Sequence, residues 1–213
     1  MPPALPFVAE APRAGVAEFP LETPQGAIGA RLHATPAGDA AVLWVFGSGG
    51  GLSGPAGGIY SRLSEQLRPR GVVGLELAYR RPGRLGDCVD DVLTGLALLK
   101  DLGRRRVVLV GHSFGGAVVI TAGIESPEVA AVAALSSQPS GAGEVGRLAP
   151  RPVLLVHGEA DALLPAEGSR DLFARAREPK RLILYPGCDH GLDECREALD
   201  RDLLAWLSEV LGL

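Results

Sequence analysis

The sequence predicts an α/β fold, a mostly parallel sheet with helices on both faces. Short apolar runs of strand length alternate with segments of helical periodicity, and the connections between them are short. One run, Ala41-Val42-Leu43-Trp44-Val45-Phe46, has no polar side chain, as a strand covered on both faces requires. Apolar residues make up 46% of the 213 positions, enough for the full core of one domain spanning residues 1–213.

Residues 16–21 and 27–34 read as two opening strands, with Thr23-Pro24-Gln25-Gly26 as the turn between them. Prolines 2, 3, 6 and 12 make residues 1–15 an extended arm ahead of them. Residues 41–46 are the third strand. A helix over 57–68 must stop at Pro69, because proline disfavours helical geometry in the residue before it. Residues 72–77 are the next strand. Val89, Val92, Leu93, Leu96 and Leu99 then recur at helical spacing and make one face of a helix. The strand Val107-Val108-Leu109-Val110 leads through Gly111-His112-Ser113-Phe114-Gly115-Gly116 into a helix over 117–124. Residues 129–135 and 153–157 are strands, 166–177 a helix with Pro165 at its first position, and 182–185 the last strand. The final helix carries Leu199, Leu203, Trp206, Leu207 and Val210 on one face.

Composition excludes several function classes. A net charge of −4 and 5% aromatic residues point to neither a nucleic-acid nor a membrane partner. No apolar run approaches the roughly 18 residues that span a bilayer. The first residues lack a basic segment followed by an apolar one, so no signal peptide is expected. Cys88, Cys188 and Cys195 are an odd and sparse set, which fits free thiols in a reducing cytoplasm.

The chemistry gathers around Ser113. Gly-x-Ser-x-Gly between a buried strand and a helix holds a serine on a sharp turn, hydroxyl exposed, facing the helix's N-terminal N–H groups. Gly111 and Gly115 flank a turn where any Cβ would meet the neighbouring strand or helix. A serine hydroxyl needs a base to take its proton, and the base needs a partner to fix its tautomer. Two downstream sites qualify: His157-Gly158-Glu159-Ala160-Asp161, and Cys188-Asp189-His190-Gly191. Both follow the carboxyl ends of expected parallel strands, as Ser113 does, and ligand sites of open α/β sheets gather at that edge.

These three pieces, in this order, resemble the α/β-hydrolase superfamily over nearly the whole chain. The resemblance implies about eight strands, an antiparallel pairing near the start, and a Ser113–His190–Asp161 triad. It also implies an oxyanion hole made by the N–H of Phe114 and an N–H of the loop Phe46-Gly47-Ser48-Gly49-Gly50-Gly51. Phe46 stands where the family usually has His, which leaves Ser48 and Gly49 as equal candidates for the second donor. The connection between strands 129–135 and 153–157 is too short for a cap domain. The chain therefore resembles the small dienelactone-hydrolase and carboxylesterase branches, although dienelactone hydrolases carry Cys at the position of Ser113. The implied activity is a serine hydrolase acting on a small-molecule ester or thioester, needing no metal or cofactor. A non-catalytic binding protein on the same fold, or an acyltransferase or perhydrolase using the same triad, is the alternative.

Other residues compete for roles. His112 lies inside the elbow, pointing away from Ser113; His157 ends a strand and is a candidate supporting residue; His33 belongs to the opening hairpin. Asp189 is too close in sequence to reach the ring of His190, and Glu159 points elsewhere than Asp161. Cys188 reads as a buried free thiol. Tyr79-Arg80-Arg81 ends a strand at the active edge, where an arginine could meet an anionic substrate.

Overall fold

The structure is a computed structural model that describes residues 14–213. Eight strands form one sheet: β1 Gly15–Thr23, β2 Gly26–Ala34, β3 Ala40–Val45, β4 Val72–Ala78, β5 Arg106–His112, β6 Val129–Leu135, β7 Val153–Gly158 and β8 Lys180–Tyr185. Their order is β1-β2-β4-β3-β5-β6-β7-β8. β2 pairs antiparallel with both β1 and β4, and every later pairing is parallel. The mixed sheet, its strand number and its antiparallel start are as the sequence implies. Of the arm expected over residues 1–15, residues 1–13 lie outside the described residues, and Gly15 already opens β1.

The alternation of side chains across the central strands divides the core in two. Ala41, Leu43 and Val45 of β3 join one buried cluster, with α2 Leu85–Asp101, α3 Phe114–Glu125 and α4 Glu167–Arg175. Ala40, Val42 and Trp44 join the other, with α1 Pro55–Leu67 and α5 Arg196–Leu211. β5 splits the same way, Val107 and Leu109 to the first, Val108 and Val110 to the second. An apolar run without alternation is what two buried faces require.

Three helix starts differ from expectation, the first being α3, which opens at Phe114 inside the elbow and not at residue 117. Ala56, Gly57 and Gly58 are left-handed, so regular α-helix begins at Ile59 and not at residue 57. The Ala56 N–H is taken by the Gly191 carbonyl at 2.8 Å, which pulls the chain out of the helical path. α4 starts at Glu167, and Pro165 sits in the turn before it, accepting from the Gly168 N–H at 3.0 Å. Between β6 and β7 the chain makes only a 3-10 turn at Val145–Leu148, so no cap covers the sheet edge among the described residues. No helix there is long and apolar enough to cross a membrane.

Candidate active site

Ser113 follows β5 directly and is the N-cap of α3, with φ 57° and ψ −122°, a region that costs a non-glycine residue about 1–3 kcal/mol. Three backbone hydrogen bonds hold it there. Its N–H donates to Leu135 O at 2.8 Å, and its carbonyl accepts from Gly116 N at 3.0 Å and Gln138 N at 3.2 Å. The flanking glycines are required by close approach. A Cβ on Gly111 would enter the Gly115 carbonyl, and one on Gly115 would enter the Phe46 carbonyl. Phe114 is the first residue of α3, so its N–H has no acceptor within the helix.

The β7 and β8 loops bring an acid and a base to the same edge. Asp161 Oδ2 accepts from His190 Nδ1 at 2.7 Å. Asp161 Oδ1 accepts from the N–H groups of Leu163 at 2.9 Å and Leu164 at 2.7 Å. Burial alone would raise the pKa of this carboxyl; the Leu164 N–H, the His190 ring and the Leu163 N–H outweigh it and hold the pKa below the usual value. Asp161 is thus an ionised, buried acceptor, and His190 is half-buried with Nε2 free of the acid. Among the described residues no hydrogen bond joins Ser113 Oγ to His190. The His190 ring lies over the elbow nonetheless, with its centroid 4.8 Å from that of His112.

The two supporting histidines have separate tasks. His112 is buried, and its Nε2–H donates to the backbone carbonyl of His190 at 2.9 Å. That bond braces the backbone at His190. His157 is fully buried at the end of β7, with Nε2 3.0 Å from Asp161 Oδ2 and Nδ1 2.7 Å from Ser169 Oγ.

The loop after β3 packs beside the serine. A Cβ on Gly47 would lie 3.4 Å from Ser113 Cβ. Gly47 and Gly50 close a turn, N–H to carbonyl at 2.9 Å, with Ser48 and Gly49 as its exposed middle residues. Either N–H is available to a ligand, so the two candidates stand as the sequence left them. Phe46 turns its ring onto His112, centroids 5.4 Å apart, and onto Tyr60 at 6.4 Å.

Residues 42–152 match the family described as "Alpha/beta hydrolase family". The chain belongs to that family. Among curated relatives it is 31% identical over 128 residues to the uncharacterized protein YfhR of Escherichia coli K12, a stretch covering 48% of this chain and 45% of the relative. The chain therefore spans less than half the length of that protein. The esterase domain of a Rhodothermus marinus protein has a similar structure, with TM-score 0.75 at 21% identity over 92% of this chain and 99% of that one. The dienelactone hydrolase of Anabaena variabilis superposes with TM-score 0.78 at 19% identity, over 92% and 98%. At these identities the likeness is one of fold.

Several sequence expectations for this alpha/beta hydrolase are corrected by its side chains. Arg80 does not face a substrate: it is paired with Asp91 of α2, whose side chain is fully buried, and its own N–H donates to Asp91 Oδ2 at 2.9 Å. Arg81 remains exposed beside Asp87. Cys188 is not a free thiol. It forms a disulfide with Cys195, and Cys88 is the free cysteine, so the odd count no longer argues for a reducing compartment. The bridge encloses His190, a relation that a spacing of seven residues does not announce. Asp189 Oδ1 accepts from Ala162 N at 3.0 Å and His190 N at 2.7 Å, tying the two loops together without touching the ring. Glu159 pairs with Arg170 at the surface.

The roles of two further residues went unread in the sequence. The Tyr79 hydroxyl donates to Phe46 O at 3.2 Å while its ring meets Phe114 edge-on, so it ties together the two segments flanking the serine. Glu76, buried in β4, accepts from Ser53 N at 2.6 Å, Ser61 Oγ at 2.7 Å and His33 Nε2 at 2.8 Å, with Arg31 alongside. It fixes Ser53, whose φ is 75°, just beyond the glycine turn. A lone carboxylate inside the apolar run 72–77 was the signal for it.

Proposed function

We propose that this protein is a serine hydrolase that cleaves a small carboxylic ester or thioester through an acyl-enzyme. One observation carries the reading: a strained, half-exposed serine shares its sheet edge with a histidine whose Nδ1 lies 2.7 Å from a buried carboxylate. That bond puts the ring hydrogen on Nδ1 and leaves Nε2 as the basic nitrogen. His190 takes the hydroxyl proton as Ser113 attacks the carbonyl carbon, and Asp161 stabilises the imidazolium. The N–H of Phe114 and that of Ser48 or Gly49 hold the oxyanion. The imidazolium returns the proton to the departing alcohol or thiol, leaving the acyl group on Ser113. His190 then activates water, which releases the acid and restores the serine. The Ser113–His190 hydrogen bond forms as substrate closes the site, since such bonds are often long without it. The uncapped edge fits a small, accessible acyl group, and the structural likeness to the esterase domain of the Rhodothermus marinus protein agrees with ester chemistry.

A fluorophosphonate probe tests the reading. The folded protein should be labelled, the label should map to Ser113, and Ser113→Ala should abolish it. A folded protein that stays unlabelled points instead to a binding protein on the same frame.

A further inference from the structure

Asp161 Oδ2 serves two rings. His190 Nδ1 reaches it at 2.7 Å and His157 Nε2 at 3.0 Å. His157 Nε2 also lies 2.8 Å from the Leu164 carbonyl. Both of these neighbours are acceptors, so Nε2 carries the hydrogen, and Ser169, itself fully buried, donates its hydroxyl to Nδ1. Every polar atom of this ring is therefore satisfied, with no exposed surface, by Asp161 and Leu164 of the loop after β7 and by Ser169 of α4.

We propose that His157 is a positioning residue for the acid: its shared Nε2–H fixes Asp161 and draws off part of the charge that Asp161 offers His190. The inference rests on the serine-hydrolase reading above. The carboxylate is held by N–H groups on both oxygens, Leu163 and Leu164 on Oδ1, the two histidines on Oδ2. It cannot rotate away from His190 without breaking several of these bonds. The N–H of His157 also withdraws density from the oxygen that stabilises the His190 imidazolium, which makes His190 a weaker base than Asp161 alone would make it. The other titratable groups facing this pair are His112 from β5 and Asp189 from the His190 loop. Neither bonds to Oδ2, so neither can replace the lost donor.

The rate of fluorophosphonate labelling at Ser113 against pH reads the basicity of His190 without a known substrate. His157→Phe removes the donor and keeps ring volume. Its midpoint should rise by about half a unit to one unit, the size of one hydrogen bond. Its limiting rate should fall by roughly tenfold as Asp161 loosens. His157→Gln, whose amide nitrogen can reach the place of Nε2, should return the midpoint to the wild-type value. A folded His157→Phe protein with the wild-type midpoint overturns the proposal, whatever happens to its rate. Should that variant not fold, nitrogen NMR of the wild-type histidines decides: the hydrogen of His157 on Nε2 upholds the proposal, and on Nδ1 it defeats it. Absence of wild-type labelling, by contrast, defeats the serine-hydrolase reading itself.

Discussion

His112 Nε2 donates to the carbonyl oxygen of His190 across 2.9 Å, joining the residue before the serine to the backbone of the histidine paired with Asp161. Burial pushes the His112 ring down to about 4; the hydrogen bond to His190 works against that shift, and repulsion from the His190 ring adds to it. An unfolded chain titrates this group near 6.5, so between these values it binds more protons than the folded one. The contribution is complete above about pH 6.5 and is lost as pH falls through about 4, up to roughly 3 kcal/mol in all. Urea midpoints taken from pH 7 down to 4 should fall, and His112→Gln should fall less steeply. Equal slopes for the two proteins would remove His112 as the cause.

The Cys188–Cys195 bridge closes a seven-residue separation around His190. Closing so short a loop constrains the unfolded chain by about 2–3 kcal/mol, which for this size corresponds to roughly 5–10 °C. Cys195→Ser should melt lower by that amount under non-reducing conditions, and dithiothreitol should bring the wild type down to meet it. Coincident melting curves before reduction would mean that the bridge contributes nothing to stability.

The strands were legible because two buried faces impose apolar runs, and the serine because its turn tolerates only glycine at 111 and 115. That Asp161 and His190 meet was implied by the family resemblance, through their order along the chain and their places after the parallel strands. What escaped was set by tertiary contacts. Ala56 leaves helical geometry because a carbonyl more than a hundred residues away takes its N–H. Arg80 could be offered to an anionic substrate because Asp91 looks like one more helix charge until α2 is packed on the sheet. The partners of Glu76, Arg31 and His33 from β2 and Ser53 and Ser61 from the α1 region, meet only after the strand order is known.

Asp91 is fully buried beneath Arg80, and burial raises its pKa despite the N–H groups that Arg80 supplies. Asp91→Ala would leave the guanidinium, only 10% exposed, without its partner. Removing one member of a buried ion pair costs about 3–5 kcal/mol. The loss should appear in the urea midpoint. Arg81→Ala, at a 61% exposed side chain, should change it by at most about 0.5 kcal/mol. Similar effects from the two would argue against burial as the deciding factor.

Gly115→Ala tests the elbow as a backbone device. The new Cβ would enter the Phe46 carbonyl and lie 2.9 Å from that of Val45, and neither is a flexible side-chain end. Either β3 or the start of α3 must move, and the second movement carries Phe114 N–H away from Ser113. Overpacking of this kind costs about 1–3 kcal/mol. On the serine-hydrolase reading, displacing the turn that carries Ser113 by an ångström costs on the order of a hundredfold in labelling rate. Gly86→Ala is the matching control: it lies in α2, and an added Cβ there meets nothing within 4 Å. That change should leave labelling of Ser113 intact and raise stability by up to about 1 kcal/mol. Full labelling in folded Gly115→Ala would mean that β3 alone gives way, and that the turn holding Ser113 does not depend on its contact with Phe46.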